Sequence, residues 1–231
     1  MEKTTIKDLY RDTEKYIGQE VEISGWVRTV RDSKTFGFIE LNDGSFLNNL
    51  QIVFTDKLSN FADVCKVTIS STLIVKGTIV KTENAKQPFE MQATSVEIFN
   101  LADSSYPLQK KRHSFEYLRT VAHLRPRTNT FNAIFRIRSV AAFAIHEYFQ
   151  KNGYVYLNSP IITCADCEGS AEMFKLTTLD LDKPLPQKDG NTDFSQDIFG
   201  KKAYITGSGQ LHGVTFYQAF WKIYTFGPTL R

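Results

Sequence analysis

The feature that most constrains this chain is a change of hydrophobic period near Asp103. Before it, the runs VEISGWVRTV, FGFIELND, NLQIVF, STLIVKGTIVKT and FEMQATSVEIF are rich in β-branched and aromatic residues. They are separated by turn-formers such as Asn42-Asp43-Gly44 and by a polar stretch around Asn84. Five short strands in about 80 residues suit a small closed barrel, and the OB-fold is the five-stranded version. Interior Gly25, Gly37 and Gly77 fit barrel bends or close backbone approaches. Ahead of the strands, Thr5 followed three residues later by Asp8 resembles a capping box, with Ile6, Leu9, Tyr10 and Tyr16 able to share one helix face.

After Asp103 the period becomes helical. Phe131, Ile134, Phe135, Ala141, Ala142, Ile145, Tyr148 and Phe149 predict a helix over residues 129–152, with Gly153 placed to end it. A strand at YVYLNSP follows, then a polar excursion over 180–200, AYITGSG, a helix through FYQAFWKI and a strand at YTFGPTLR. The expected plan is a β-barrel over residues 1–103, a basic linker over 104–127 with one short helix at HSFEYLRTVAHL, and an α/β domain over 128–231.

Composition adds an asymmetry to this plan. Residues 1–103 carry 12 Lys/Arg against 15 Asp/Glu, and residues 104–231 carry 16 against 10. The surplus concentrates in 104–138, where Lys110, Lys111, Arg112, Arg119, Arg125, Arg127, Arg136 and Arg138 face only Glu116. Such a stretch attracts a polyanion, nucleic acid first among them, or forms a solvated linker and helix face. No apolar run reaches the roughly 18–20 residues of a membrane span, and the charged N-terminus lacks a signal-peptide core. Three cysteines are too few for a disulfide framework. A cytoplasmic protein with no membrane partner is expected.

Several common site types are missing. The chain has no GxxxxGK[ST]; TGSGQLHG places its third glycine one position too late for GxGxxG, and Ser208 misses the GxSxG elbow. Cys164 and Cys167 have CxxC spacing without a second pair, and the four histidines are scattered. No metal-ligand set is expected. What remains is a barrel bearing Arg28, Arg31, Phe38 and Gln51 on successive strands, a pattern OB-folds use to stack bases and hold phosphates. The second half offers Glu168 and Glu172 in a glycine-containing loop, Gln210 after GSG, and Arg231 after Gly-Pro-Thr-Leu. Taken singly, Phe38 also fits a core aromatic, Glu172 an exposed charge and Gln210 a structural hydrogen bond.

HSFEYLRTVAHLRPRTNTF, NSPIITCADCEGSAEMFKLTTLDL, DIFGKKAYITGSGQLHG and IYTFGPTLR together resemble the asparaginyl-tRNA synthetases, class II enzymes of the aspartate-like subgroup. GWVRTVRDSKTFGFIELNDGSF is similar to that family's anticodon-binding OB domain. The resemblance runs through essentially the whole chain. It implies an N-terminal all-β OB barrel joined to the first part of an α/β class II catalytic domain built on a mixed, mainly antiparallel sheet. The implied activity is ATP-dependent conversion of asparagine to asparaginyl-adenylate and transfer to the 3′ end of asparagine tRNA.

By the same resemblance, Glu172 and Gln210 bind the amino acid, Arg231 is the catalytic and ATP-binding arginine of motif 2, and Phe38, Gln51 and Glu90 surround the middle anticodon base. Arg28 and Arg31 suit phosphate contacts. The implied partners are asparagine tRNA, asparagine and ATP, with Mg²⁺ held by ligands outside this chain, and a homodimer. Val214 stands where the family carries glutamate, and Leu230 replaces the usual Phe. The chain reaches Arg231 inside motif 2, so a partial catalytic domain inactive by itself is expected. A non-catalytic RNA-binding OB module and an aspartyl-tRNA synthetase are the alternatives.

Overall fold

The computed structural model describes residues 4–83, 87–165 and 173–230. Two compact units divide the chain at Ile137/Arg138. Unit 1 opens with two short helices, α1 (Ile6–Arg11) and α2 (Thr13–Tyr16). Thr5 caps α1 as its pattern predicts. Its hydroxyl accepts from the Asp8 N–H, and the Asp8 carboxylate accepts from the Thr5 hydroxyl and, at 2.9 Å, from the Thr5 N–H. The hydroxyl first and then the N–H hold the Asp8 carboxyl below its ordinary pKa.

The five strands are β1 (Glu20–Asp32), β2 (Phe36–Asn42), β3 (Leu50–Thr55), β4 (Thr72–Lys81) and β5 (Phe89–Asn100), with the short helix α3 (Phe61–Val64) between β3 and β4. They close in the order β1-β2-β3-β5-β4, with β4 returning to β1. All pairings are antiparallel except β3–β5, which meets in parallel at Ile52–Met91 and Val53–Gln92. Alternate residues point inward, and Ile23, Ile39, Leu41, Ile52, Phe54, Val75, Ile79 and Met91 form a core that Ile6 and Leu9 of α1 join. All three interior glycines are sterically required, Gly25 because a Cβ would lie 2.5 Å from the Asn42 carbonyl oxygen. A Cβ on Gly37 would collide with the Phe54 ring, and one on Gly77 with the Gln92 carbonyl.

The basic stretch is part of this unit. It contains α4 (Phe115–Thr120), capped by Ser114, and it buries Leu108 and Leu118. The predicted long helix is α5 (Asn129–Lys151), and Gly153 adopts the positive φ that ends it.

Unit 2 is built from short strands. β6 (Val155–Leu157) pairs in parallel with a strand near residue 224. β7 (Ile162–Thr163) and β8 (Lys175–Leu176) flank β11 (Ala203–Ile205) antiparallel. β9 (Gln187–Lys188) and β10 (Asn191–Thr192) form a hairpin. The helix α6 (Gln210–Phe220) and the strand β12 (Ile223–Thr225) complete it.

Three sequence expectations are adjusted here. The 180–200 excursion contains the β9–β10 hairpin, turned by Asp189 and Gly190, both at positive φ. The last helix starts earlier than FYQAFWKI, at Gln210, and stops where Trp221 turns to φ 61°. The last strand is three residues long. No described helix is long and apolar enough to cross a membrane.

Candidate functional site

The alternation along β2 sends Gly37, Ile39 and Leu41 inward and Phe36, Phe38 and Glu40 outward. Register then sets the neighbours. Phe38 lies between Arg31 of β1 and Val53 of β3, while Glu40 lies between Thr29 and Gln51. Arg31, Phe38 and Gln51 therefore share one outward patch, lining with Thr29 and Glu40 a depression of about 160 Å³. Phe38 is half-buried, braced edge-to-face by Phe36 at 5.6 Å, and is no part of the core. The Gln51 amide donates to the Glu90 carboxylate at 3.1 Å, which fixes both groups beside the patch and leaves the amide carbonyl to accept from a ligand. A planar ring flanked by a guanidinium and a fixed amide–carboxylate pair can stack a nucleobase and address its edge.

Arg28 lies apart from this group. Val27 pairs with Leu41 and Thr29 with Glu40, so Arg28 is the extra residue of a β-bulge, which re-aims its side chain. Its guanidinium donates to the Arg127 carbonyl and, at 2.9 Å, to Asn129 Oδ1. Burial lowers its pKa from the ordinary guanidinium value. The basic stretch divides in the same way. Arg127 donates to Ser70 Oγ at 2.6 Å and stacks over Trp26, Arg125 lies over Phe131, and Arg136 donates to the Gly44 carbonyl at 2.6 Å. Lys110, Lys111, Arg112 and Arg119 are exposed.

A second cluster forms in unit 2. Gln210 opens α6 and its N–H donates to Ser208 Oγ at 3.1 Å, after Thr206 Oγ1 has donated to the Ser208 carbonyl at 2.7 Å. Val214 sits one turn along, and both residues line a cavity of about 490 Å³ with Ser208, Tyr217 and Tyr224. Gly209 packs closely there, since a Cβ would lie 2.9 Å from Ser159 Oγ and would displace that hydroxyl. Tyr224 is fixed from behind by Phe149, stacked at 4.5 Å, and by His146 Nδ1 at 2.7 Å from its hydroxyl.

Asp197 is buried and accepts from Thr177 Oγ1, the Thr178 N–H and hydroxyl and the Ile198 N–H, at 2.6–2.8 Å. These donors, the Thr177 hydroxyl foremost, hold its carboxyl far below the usual carboxylate range. Glu172 and Arg231, with Cys167 and Glu168, lie outside the described residues. Among the described residues no three His, Cys, Asp or Glu side chains converge to hold a metal ion.

Sequence reading did not single out Thr29 or Glu40. The signal was present in the alternation that places them on the same barrel face as Phe38.

An OB-fold nucleic acid binding domain model matches residues 21–99, and a model of class II tRNA synthetases (D, K and N) matches residues 114–231. The chain belongs to the class II tRNA synthetases of the D, K and N group. Among its relatives in this family, the asparagine–tRNA ligases of Acetivibrio thermocellus and Clostridium kluyveri are 58% and 56% identical over the whole chain. The chain spans 50% of the length of each. The asparaginyl-tRNA synthetase of Pyrococcus horikoshii, solved with asparaginyl-adenylate, superposes with a TM-score of 0.81 at 23% identity, over 100% of this chain and 48% of that one. The Entamoeba histolytica asparaginyl-tRNA synthetase, also solved with asparaginyl-adenylate, gives 0.72 at 20% identity, over 96% and 47%. At these identities the superpositions establish the shared fold: an OB barrel followed by part of a class II catalytic domain.

Proposed function

We propose that the chain supplies the anticodon-reading barrel and the first part of the catalytic domain of an asparagine–tRNA ligase, with residues 1–103 as barrel, 104–127 as basic connector and 128–231 as partial catalytic domain. The observation that carries the reading is Phe38, held half-exposed on the barrel's outer face beside Arg31 and the Gln51–Glu90 pair. The ring stacks on the middle base of the asparagine anticodon, Gln51 and Glu90 address the base edge, and Arg31 neutralises a phosphate. Arg28 adds positive charge from behind its hydrogen bonds.

In the catalytic part, asparagine attacks the α-phosphate of ATP through its carboxylate, releasing pyrophosphate and forming asparaginyl-adenylate. The asparaginyl group then passes to the 3′-terminal ribose of asparagine tRNA. Gln210 hydrogen-bonds the ammonium region of asparagine from the rim of the 490 Å³ cavity. Glu172 holds the ammonium by charge, and Arg231 bridges the substrate carboxylate and the α-phosphate, as the family resemblance implies. Val214 presents no polar atom to the substrate's side-chain amide. Mg²⁺ accompanies ATP in the family. The described residues offer it no ligand set. The working enzyme is a cytoplasmic homodimer.

The test is a fluorescence-anisotropy titration of the chain with asparagine tRNA, with thermal melts alongside. Phe38→Ala is expected to cost about 1–3 kcal/mol of binding while the barrel melts as before. Normal affinity in that variant removes Phe38, and with it the anticodon reading, from this face.

A further inference from the structure

We propose that a groove adjoining the Phe38 depression is a separate subsite for RNA backbone phosphates, formed by Lys110, Lys111, Arg112 and His113 opposite the barrel residues Thr29 and Glu40. The inference rests on the tRNA reading above and deepens it. The groove encloses about 1010 Å³, room for a segment of a nucleic-acid strand, and lies wholly within unit 1. It meets the depression at Thr29 and Glu40, which line both, so a strand whose base enters the depression can continue into the groove.

The charges in the two places differ in kind. Lys110, Lys111 and Arg112 are exposed, and no ion pair among the described residues involves them. Arg125, Arg127 and Arg136 of the same basic stretch are engaged within the unit. Three of the cations left for a ligand, Lys110, Lys111 and Arg112, are thus gathered on one wall, while the exposed Arg119 does not line the groove. Glu40, whose carboxylate accepts from Asn49 Nδ2 at 3.2 Å, disfavours a phosphate at the junction and suits a base edge there. The backbone lies in the groove and the base turns into the depression.

The cationic wall is held in place. Leu108 and Leu118 on either side of it are buried. The His113 ring stacks on Tyr117 at 5.2 Å, with Nε2 3.1 Å from the Gln109 carbonyl, and the Tyr117 hydroxyl donates to the Pro107 carbonyl at 3.2 Å. Cations carried on an anchored segment lose less backbone freedom on meeting phosphate than those of a loose tail.

The experiment titrates the full chain with the anticodon stem-loop of asparagine tRNA, and with the same RNA changed at the middle anticodon base, across a series of salt concentrations. In the variant carrying K110A, K111A and R112A, all at exposed positions, the slope of log K against log salt should fall by about 2–3, because each lost phosphate contact removes about 0.7–0.9. The affinity at low salt should drop at least about tenfold, with the ratio between the two RNAs kept. Phe38→Ala should do the reverse, collapsing the ratio and keeping the slope. An unchanged slope in the triple variant overturns the groove while leaving the anticodon reading intact. An unchanged ratio in Phe38→Ala overturns the anticodon reading, whatever the triple variant does. Competition by polyglutamate as effective as that by RNA would show a general anion surface and also overturn the phosphate subsite.

Discussion

In the barrel, Ile39, Leu41, Ile52, Phe54 and Met91 are shut off from solvent on every side, whereas α5, the longest helix of the chain, buries none of its residues. Unit 2 buries Leu157, Ala203 and Tyr224, and exposes Val140, Phe143, Tyr148, Leu211 and Phe220. Both regions obey their hydrophobic period, so period alone does not decide burial. A closed sheet supplies its own cover, because each strand pairs on both sides and the inward faces meet each other. A helix stripe and three small open sheets need another surface to face, and their own residues do not supply it.

The largest test of this contrast is amide hydrogen exchange. Amides of β1, β4 and β5 should exchange only through global opening of the barrel. Those of β6 and β12 should exchange at least about a hundredfold faster through local opening. Equal protection would end the comparison. Next in size are two truncations followed by urea melts. Phe54→Ala should cost about 3–5 kcal/mol, whereas Phe143→Ala, 68% exposed, should stay within about 0.5 kcal/mol. A comparable loss at Phe143 would show that the face of α5 is covered in solution.

The smallest effect sharpens the picture within unit 2, where Asp197 is a well-satisfied polar centre in an otherwise open region. Its folded pKa lies below the unfolded value, so its contribution is fully present above about pH 4 and is lost as pH falls further. Limited proteolysis within residues 177–200 should be constant between pH 7 and about pH 4 for the native chain. Asp197→Asn should raise it already at pH 7. Cleavage that is insensitive to Asp197→Asn would remove the carboxylate as the anchor of this loop.

Much of the barrel was legible because strand alternation, the Thr5–Asp8 cap and the glycines Gly37 and Gly77 are local signals with one common solution. The outward placement of Phe38 was legible in part: the pattern of β2 allows it, a lone Phe also fits a core, and its neighbours Arg31 and Val53 follow only from the register. Arg28 looked equivalent to Arg31 in the sequence. The bulge that separates them exists only because β1 carries one more residue than β2 between Val27 and Thr29. The split of the basic stretch was equally hidden, since Trp26, Ser70 and Gly44, which engage Arg127 and Arg136, are far away along the chain. The β9–β10 hairpin could have been found from Asp189-Gly190, a strong two-residue turn signal lost in a polar background. Glu172 and Arg231 rest on family resemblance alone.

The barrel's strand order also sets a timetable for synthesis. β1 finds one of its neighbours in β4, and β3 meets its second neighbour only in β5, whose last residue is Asn100. A chain leaving the ribosome at about 5–20 residues per second therefore holds an unclosed sheet, three-stranded and then four-stranded, with two bare edges for about 2–9 s after Thr55. During that interval the nascent protein is at its most prone to pair with a neighbour, and the delivery of β4 and β5 ends the exposure.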